Sequence, residues 1–207
     1  MRLHYAPGTI SIAVAITLEE AGLAYDAQLV DFKSAAQTTP DYLAVNPKGR
    51  VPVLETDNGT RLTETGAILE YIAAVAPTAG LVPDAPEDAA HMRGVMYYLA
   101  STMHVNHAHR MRGNRWADDP KSHADMAAKV PQTMAASAAY VDKHGLRGDF
   151  VLGDTLSLAD PYLFVVSAWL QGDGVAIADT PRLAAFCERM AQRPSVQAAV
   201  AQGMIRV

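Results

Sequence analysis

The fold is decided by the stretch Asn46-Pro47-Lys48-Gly49-Arg50-Val51-Pro52-Val53-Leu54. Pro52 opens a short apolar run, and because a proline cannot donate a hydrogen bond to a β-ladder, it belongs at a strand start or an edge. The proline also pushes Val51 toward extended geometry. The N–H and C=O groups of Val51 are then free to pair with an extended peptide ligand, as an added strand would. A cis bond before Pro52 would present these groups best, although a trans proline opening a strand is the ordinary expectation.

On either side of this stretch the chain alternates strands and helices. Polar and apolar residues alternate from Arg2 to Tyr5, and the next segment has apolar residues at helical spacing. The run Asp57-Asn58-Gly59 is a strong hairpin signal. Strands are predicted at 2–5, 28–32, 53–55 and 60–62, and helices at 9–22, 40–45 and 63–75. This βαβαββα order predicts an α/β layer fold over residues 1–77.

Residues 77–86 carry three prolines and one glycine, a composition typical of a linker. Beyond it the strand signals stop, and apolar residues recur at helical spacing, beginning with Met92, Val95 and Met96. Helices are predicted at 87–111, 122–143, 157–170, 181–191 and 195–202. The predicted division is an α/β domain at 1–77, a linker at 78–86 and an all-helical domain at 87–207.

Charge and composition exclude several classes of protein. A net charge of −5 over 207 residues argues against a dedicated nucleic-acid binder. No window approaches the ~18 consecutive apolar residues of a membrane span, so no membrane partner is expected. Cys187 is the only cysteine. Because a lone thiol cannot form an internal disulfide, we expect a reducing compartment, the cytoplasm, with Cys187 in the core.

Four motifs together resemble the cytosolic glutathione transferase family. They are Asn46-Pro47-Lys48-Gly49-Arg50-Val51-Pro52, Leu62-Thr63-Glu64-Thr65-Gly66-Ala67-Ile68, Gly153-Asp154 with Leu156-Ser157-Leu158-Ala159-Asp160, and Phe186-Cys187-Glu188-Arg189-Met190-Ala191-Gln192-Arg193-Pro194. The resemblance covers essentially the whole chain. It implies a thioredoxin-like N-terminal domain, a cis Val51-Pro52 bond, glutathione as co-substrate, a homodimer, and a small electrophile as second substrate.

Within that family the start of the chain and the pattern around His104 look most like the bacterial beta class. That class carries a cysteine where this chain has Ile10. It also uses a lysine after its second strand, and Lys33 lies about two places early for that role. Without a protein thiol at the site, a disulfide-exchange reaction is disfavoured. A glutathione transferase is the predicted function, and a non-catalytic glutathione-binding or interaction module is the alternative.

The resemblance also assigns the glutathione contacts. Val51, beside Pro52, would hold the cysteinyl part through its backbone. Thr65 would hold the γ-glutamyl carboxylate at a helix N-terminus, which suits an anion, while Glu64 would face the amino group. Ser101 and Thr102 match positions that reach glutathione across a dimer interface.

The thiolate needs a stabilising partner that is not a cysteine. A hydroxyl donor with helix N-terminal N–H groups can hold it without a formal base. Ser11 is the first candidate, and Thr9 and Tyr5 are the alternatives. An equally open reading makes Ser11 an ordinary helix cap. His104 matches the beta-class histidine near the sulfur and could stabilise thiolate charge, or it could be a core residue.

Two further groups of residues have competing interpretations. The basic segment His107, His109, Arg110, Arg112, Arg115 with Trp116 could form a rim that favours an anionic second substrate, or a solvated helix end. No third ligand of sensible spacing accompanies its histidines, so no metal is expected. Ser157 and Asp160 have the spacing of a capping box with Asp in place of Glu, which indicates a structural role.

Overall fold

The computed structural model describes residues 1–206, in two compact units. The first comprises residues 1–82 together with residues 190–206, and the second comprises residues 83–189. The break after residue 82 lies inside the segment expected to be a linker. The C-terminal residues differ from the predicted division, because they belong to the first unit and not to the helical one.

The first unit contains a four-stranded sheet of order β2-β1-β3-β4, with β1 and β2 parallel and the other pairs antiparallel. The strands are β1 (Arg2–Tyr5), β2 (Asp26–Leu29), β3 (Val53–Glu55) and β4 (Arg61–Thr63). Its helices are α1 (Ser11–Glu20), α2 (Pro40–Val45) and α3 (Thr65–Val75), followed near the C-terminus by α9 (Pro194–Ala201). The α/β thioredoxin-like class is thus confirmed.

Some boundaries differ from the predicted ones. The second strand ends at Leu29 instead of Phe32, and all four of its residues are exposed. After it, Phe32–Ser34 and Ala36–Thr38 form single 3₁₀ turns. Pairing with β1, in which Ala27 lies opposite Leu3, determines the position of this strand. Its own apolar residues do not. Helix α1 is buried from Ser11 to Leu18, because it packs against both α3 and α9.

The second unit is entirely helical apart from short turns and isolated bridges. Its helices are α4 (Pro86–Tyr98), α5 (His104–Ala108), α6 (Pro120–Tyr140), α7 (Ala159–Ser167) and most of α8 (Pro181–Ala191). Five-residue π-helical segments follow α4 at Leu99–Met103 and α6 at Val141–Gly145. The long helix predicted at 87–111 is therefore interrupted and ends earlier. Among residues 1–206, no helix is long and apolar enough to cross a lipid bilayer.

The start of α7 is organised by the carboxylate of Asp160, which is fully buried. One carboxylate oxygen accepts hydrogen bonds from the Ser157 N–H at 2.7 Å and the Ser157 hydroxyl at 2.8 Å. The other accepts from the Val151 N–H at 2.8 Å. Asp160 therefore fixes both the first turn of the helix and the loop that leads into it.

The C-terminal residues are bonded to the start of the first unit. The Gly8 N–H donates to the carbonyl of Met204 at 2.8 Å. Arg193 donates to both carboxylate oxygens of Glu20, at 2.6 and 2.7 Å, and the Ser195 hydroxyl donates to the same group at 2.5 Å. Burial alone would raise the pKa of Glu20, but the bonds from Arg193 and Ser195 hold this pKa below its usual value.

We expect Arg193→Met to lower the free energy of unfolding by about 2 kcal/mol at pH 7, because it leaves a largely buried carboxylate without its cation. Since folding lowers the pKa of Glu20, the ion pair stabilises the fold above the ordinary carboxyl pKa, and this contribution is lost as the pH falls through the folded-state pKa. Urea unfolding at pH 7 and pH 3 measures the difference, which should shrink at pH 3. Arg147→Met, which breaks the exposed pair with Asp88, is the control and should cost about 0.5 kcal/mol or less.

Candidate active site

The peptide bond between Val51 and Pro52 is cis, as the resemblance led us to expect. Within residues 1–206 the backbone N–H and C=O of Val51 make no hydrogen bond. The preceding carbonyl, of Arg50, accepts two: from the Tyr42 hydroxyl at 2.8 Å and from the Asn46 side-chain amide at 2.7 Å. Burial raises the pKa of Tyr42 to about 12, so its hydroxyl stays a donor. Tyr42 and Asn46 thus hold the loop through the Arg50 carbonyl, and both backbone groups of Val51 stay available.

The start of α3 lies beside Val51 in the sheet register. Val53 of β3 pairs with Thr63 of β4, so the residues just before Val53 and just after Thr63 are neighbours. Glu64 has φ 71°, a left-handed conformation that is unusual for a side chain other than glycine and that often accompanies function. Thr65 is the first residue of α3 and is buried, and no side chain caps the helix. Its first N–H groups therefore have no side-chain acceptor, and helix termini of this kind suit an anion.

Lys48 is a contact that the sequence reasoning did not assign to the site. Its ammonium donates to the Thr63 hydroxyl at 2.9 Å and pairs with the Glu64 carboxylate. The signal was present, because Lys48 belongs to the same quoted stretch as Val51. Lys33, by contrast, is exposed, and its backbone N–H donates to the Asp31 carboxylate at 2.9 Å.

The turn between β1 and α1 holds two of the candidate hydroxyls. Ser11 is fully buried, and its Oγ accepts from the Ala6 N–H at 3.2 Å and lies 3.3 Å from the Ala6 carbonyl. The Thr9 Oγ1 lies 2.7 Å from the Ser11 Oγ and donates to the Ala6 carbonyl at 2.8 Å. Thr9 is partly exposed, as is Tyr5 at the end of β1. Ser11 therefore bonds inward, whereas Thr9, although bonded to the same carbonyl, is partly exposed.

His104, Ser101 and Thr102 lie in the second unit. Ser101 and Thr102 belong to the π-helical segment Leu99–Met103, and His104 is the first residue after it. π-Helical segments are rare and frequently mark functional sites. The exposed Ser101 hydroxyl donates to the Tyr97 carbonyl at 2.8 Å, and the His104 ring packs edge-on against Trp169 at 4.9 Å between centroids.

The basic segment after His104 contains two residues that face a buried carboxylate. The His107 Nδ1 lies 2.7 Å from Asp173, and Arg110 lies 3.3 Å from the other oxygen of the same carboxylate. His109 packs edge-on against Trp116 at 4.5 Å between ring centroids. Sequence reasoning missed Asp173. Within residues 1–206, no three His, Cys, Asp or Glu side chains are placed to hold a metal ion.

Cys187 is a poor nucleophile in this structure. Burial raises the pKa of its thiol to about 12. The thiol is therefore protonated at neutral pH.

Known proteins share both the sequence and the structure of the chain. Residues 1–74 match the N-terminal domain of glutathione S-transferase, and residues 107–203 match its C-terminal domain. Glutathione S-transferase GstA of Escherichia coli O157:H7 is 33% identical, over 99% of this chain and 100% of that protein. A glutathione transferase homologue from Sulfitobacter, crystallised with bound glutathione, is 59% identical, with TM-score 0.97 and 98% coverage of both chains.

A third relative belongs to the class suggested by the sequence. The bacterial beta class glutathione S-transferase of Sphingomonas chungbukensis is 35% identical, with TM-score 0.83 and 98% coverage of both chains.

Proposed function

The chain belongs to the glutathione S-transferase family, and we propose that it transfers the thiolate of glutathione to a small electrophile. The observation that carries this proposal is the free backbone of Val51 beside the uncapped N-terminus of α3. The sheet register supports one common site. His4 and Thr63 both pair with Val53, so the turn after β1 and the start of α3 flank the residues that precede β3.

Glutathione binding divides among three groups in this proposal. The backbone of Val51 pairs with the cysteinyl residue as an added strand. Thr65 and the first N–H groups of α3 hold the γ-glutamyl carboxylate. Glu64, whose carboxylate is paired with Lys48, faces the amino group of the ligand.

Thiolate stabilisation falls to Thr9 in our proposal, with Ser11 as its support. The Thr9 and Ser11 hydroxyls lie within hydrogen-bond distance of each other, and each can donate its one proton to the Ala6 carbonyl. If the Ser11 proton points to the Ala6 carbonyl, the Thr9 hydroxyl can turn its proton to a bound sulfur. The N-terminus of α1 adds favourable electrostatics. These donors stabilise the negatively charged thiolate more than the neutral thiol. Together they therefore lower the pKa of the bound glutathione thiol.

A homodimer is the assembly we propose. Tyr97 is 69% exposed and Tyr140 is 48% exposed, and the Tyr140 ring packs against Tyr98 at 4.5 Å between centroids. Exposed aromatic side chains of this kind are enriched where proteins associate. Ser101 and Thr102 would then serve the partner's glutathione site.

The proposed function is tested by retention on immobilised glutathione, followed by turnover of a generic aryl halide with glutathione. We expect both, and we expect Thr65→Ala to lose retention because it removes the hydroxyl that holds the carboxylate. Retention without turnover would favour a non-catalytic binding module, and failure of both would refute the proposal. Light scattering of the same sample measures whether it is a dimer.

A further inference from the structure

Two buried side chains of the first unit converge on the carbonyl that precedes Val51. The Asn46 Nδ2 donates to the Arg50 carbonyl at 2.7 Å, and the Tyr42 hydroxyl donates to the same oxygen at 2.8 Å. Asn46 is 1% exposed and Tyr42 is 7% exposed. Because a carbonyl oxygen has two lone pairs, these two donors use its whole accepting capacity. The peptide group between Arg50 and Val51 is therefore held by two independent side chains.

The orientation of that peptide group decides where the Val51 N–H points. The Arg50 carbonyl and the Val51 N–H belong to one planar group, and in a trans peptide they point in opposite directions. The bond between Arg50 and Val51 is trans. Since Tyr42 and Asn46 bind the carbonyl, the Val51 N–H is directed away from both of them. Within residues 1–206 this N–H donates to no other group.

The other polar atoms of Asn46 hold the rest of the loop. Its Oδ1 accepts from the Lys48 N–H at 3.1 Å, and its backbone carbonyl accepts from the Gly49 N–H at 2.9 Å. The Asn46 N–H donates to the Tyr42 carbonyl at 2.8 Å, which connects the loop to the end of α2. One side chain therefore bonds the backbone both before and after Gly49.

Apolar contacts fix the Tyr42 ring. The ring belongs to a buried cluster with Ala6, Val30, Val51 and Val53. Phenylalanine at position 42 would keep these contacts and remove only the hydroxyl. The same cluster buries the side chain of Val51, so this residue is held by its side chain and by the carbonyl before it.

A role in stability alone explains only part of this arrangement. One donor is enough to avoid the cost of an unpaired buried carbonyl. A second donor, from a different side chain, adds a constraint on the direction of the peptide group. Buried side chains that fix the orientation of a binding group reduce the entropy that is lost when a ligand binds.

We propose that Asn46 and Tyr42 are positioning residues that set the affinity of the chain for glutathione without touching it. They hold the Val51 N–H in the direction of the cysteinyl carbonyl of the tripeptide. The inference rests on the proposed function. Loss of either donor lets the peptide group rotate, so that glutathione binds more weakly, whereas kcat at saturating glutathione does not change.

The experiment compares two ligands and two variants. Asn46→Asp replaces the donor Nδ2 with an oxygen that repels the Arg50 carbonyl, and it should raise the Kd of glutathione about 20-fold by isothermal titration. Tyr42→Phe should raise this Kd about fivefold, as expected for the loss of one neutral hydrogen bond. With an aryl halide as second substrate, kcat at saturating glutathione should change by less than about twofold in both variants.

The second ligand is γ-glutamylcysteamine, which keeps the γ-glutamyl group and the thiol but has no cysteinyl carbonyl. The Val51 N–H has nothing to bind in this ligand. Its kcat/KM with the same aryl halide should therefore change by less than about twofold in Asn46→Asp and in Tyr42→Phe. A general loosening of the first unit would instead weaken both ligands equally.

The controls separate the possible outcomes. Asn58→Asp makes the same substitution at an exposed position in the turn between β3 and β4, and it should leave both ligands unaffected. Tyr42→Phe decides the outcome if Asn46→Asp does not fold. Equal losses with both ligands, or an unchanged glutathione Kd in Tyr42→Phe, would overturn the inference alone. A wild-type protein that binds no glutathione would refute the proposed function and the inference with it.

Discussion

Asp160→Ala is expected to lower the free energy of unfolding by about 4 kcal/mol. The substitution removes a fully buried carboxylate that accepts three hydrogen bonds, from the N–H groups of Val151 and Ser157 and from the Ser157 hydroxyl. Each such bond to a charged acceptor contributes about 1.5 kcal/mol, and the donors left behind cannot all reach water. Urea unfolding followed by circular dichroism measures the change. If the variant cannot be recovered in soluble form, this outcome also indicates that the substitution destabilises the fold.

The control for this prediction is Asp154→Ala in the same loop. Asp154 is exposed, so its removal should change the free energy of unfolding by less than about 0.5 kcal/mol. Asp160→Asn, which keeps one acceptor oxygen, should fall between the two. If Asp160→Ala unfolds at the wild-type urea concentration, the carboxylate does not organise α7. Reduced activity at wild-type stability would assign Asp160 a chemical role that its buried bonds do not suggest.

Thr9→Val is expected to lower kcat/KM for glutathione conjugation about tenfold at neutral pH. Valine keeps the shape of the side chain and removes its hydroxyl, so less of the bound thiol is ionised, and each unit of rise in its pKa lowers the thiolate fraction by up to about tenfold. The apparent pKa of the bound glutathione thiol should rise by at least about one unit, toward the ~8.5 of a free thiol. A pH titration of thiolate absorbance in the binary complex measures that rise directly.

Two companion variants distinguish the candidate hydroxyls. Thr9→Ser keeps the donor and should retain most of the activity. Ser11→Ala should lower activity about tenfold and also reduce stability, because the buried Ala6 N–H loses its acceptor. Should Thr9→Val keep its full rate while Tyr5→Phe loses it, the donor is the phenol at the end of β1.

Local sequence was informative where a residue type has only one structural use. Pro52 at a strand entry and the Asp57-Asn58-Gly59 turn marked β3 and β4 closely, because proline cannot sit in a central ladder and glycine readily adopts the positive φ of 83° found at Gly59. The cis bond before Pro52 was expected through family resemblance, not through its own residues.

Features that depend on distant partners could not be predicted. Asp173 lies in a segment without periodicity, and its partner His107 is 66 positions away. The π-helical segment Leu99–Met103 keeps the apolar spacing of an ordinary helix, so the extra residue appears only in the backbone. The inward bonds of Ser11 are likewise visible only in three dimensions, and its sequence position fits a cap and a catalytic group equally well.

The bonds that tie residues 190–206 to the start of the chain make the first unit discontinuous. A ribosome that has exported the sheet has not yet made α9, the surface that covers one side of α1. The helical second unit is therefore translated in full before the last segment of the first unit, residues 190–206, has been made. During that interval the apolar side of α1 is open to chaperones and to other nascent chains, until α9 has been made and packs against it.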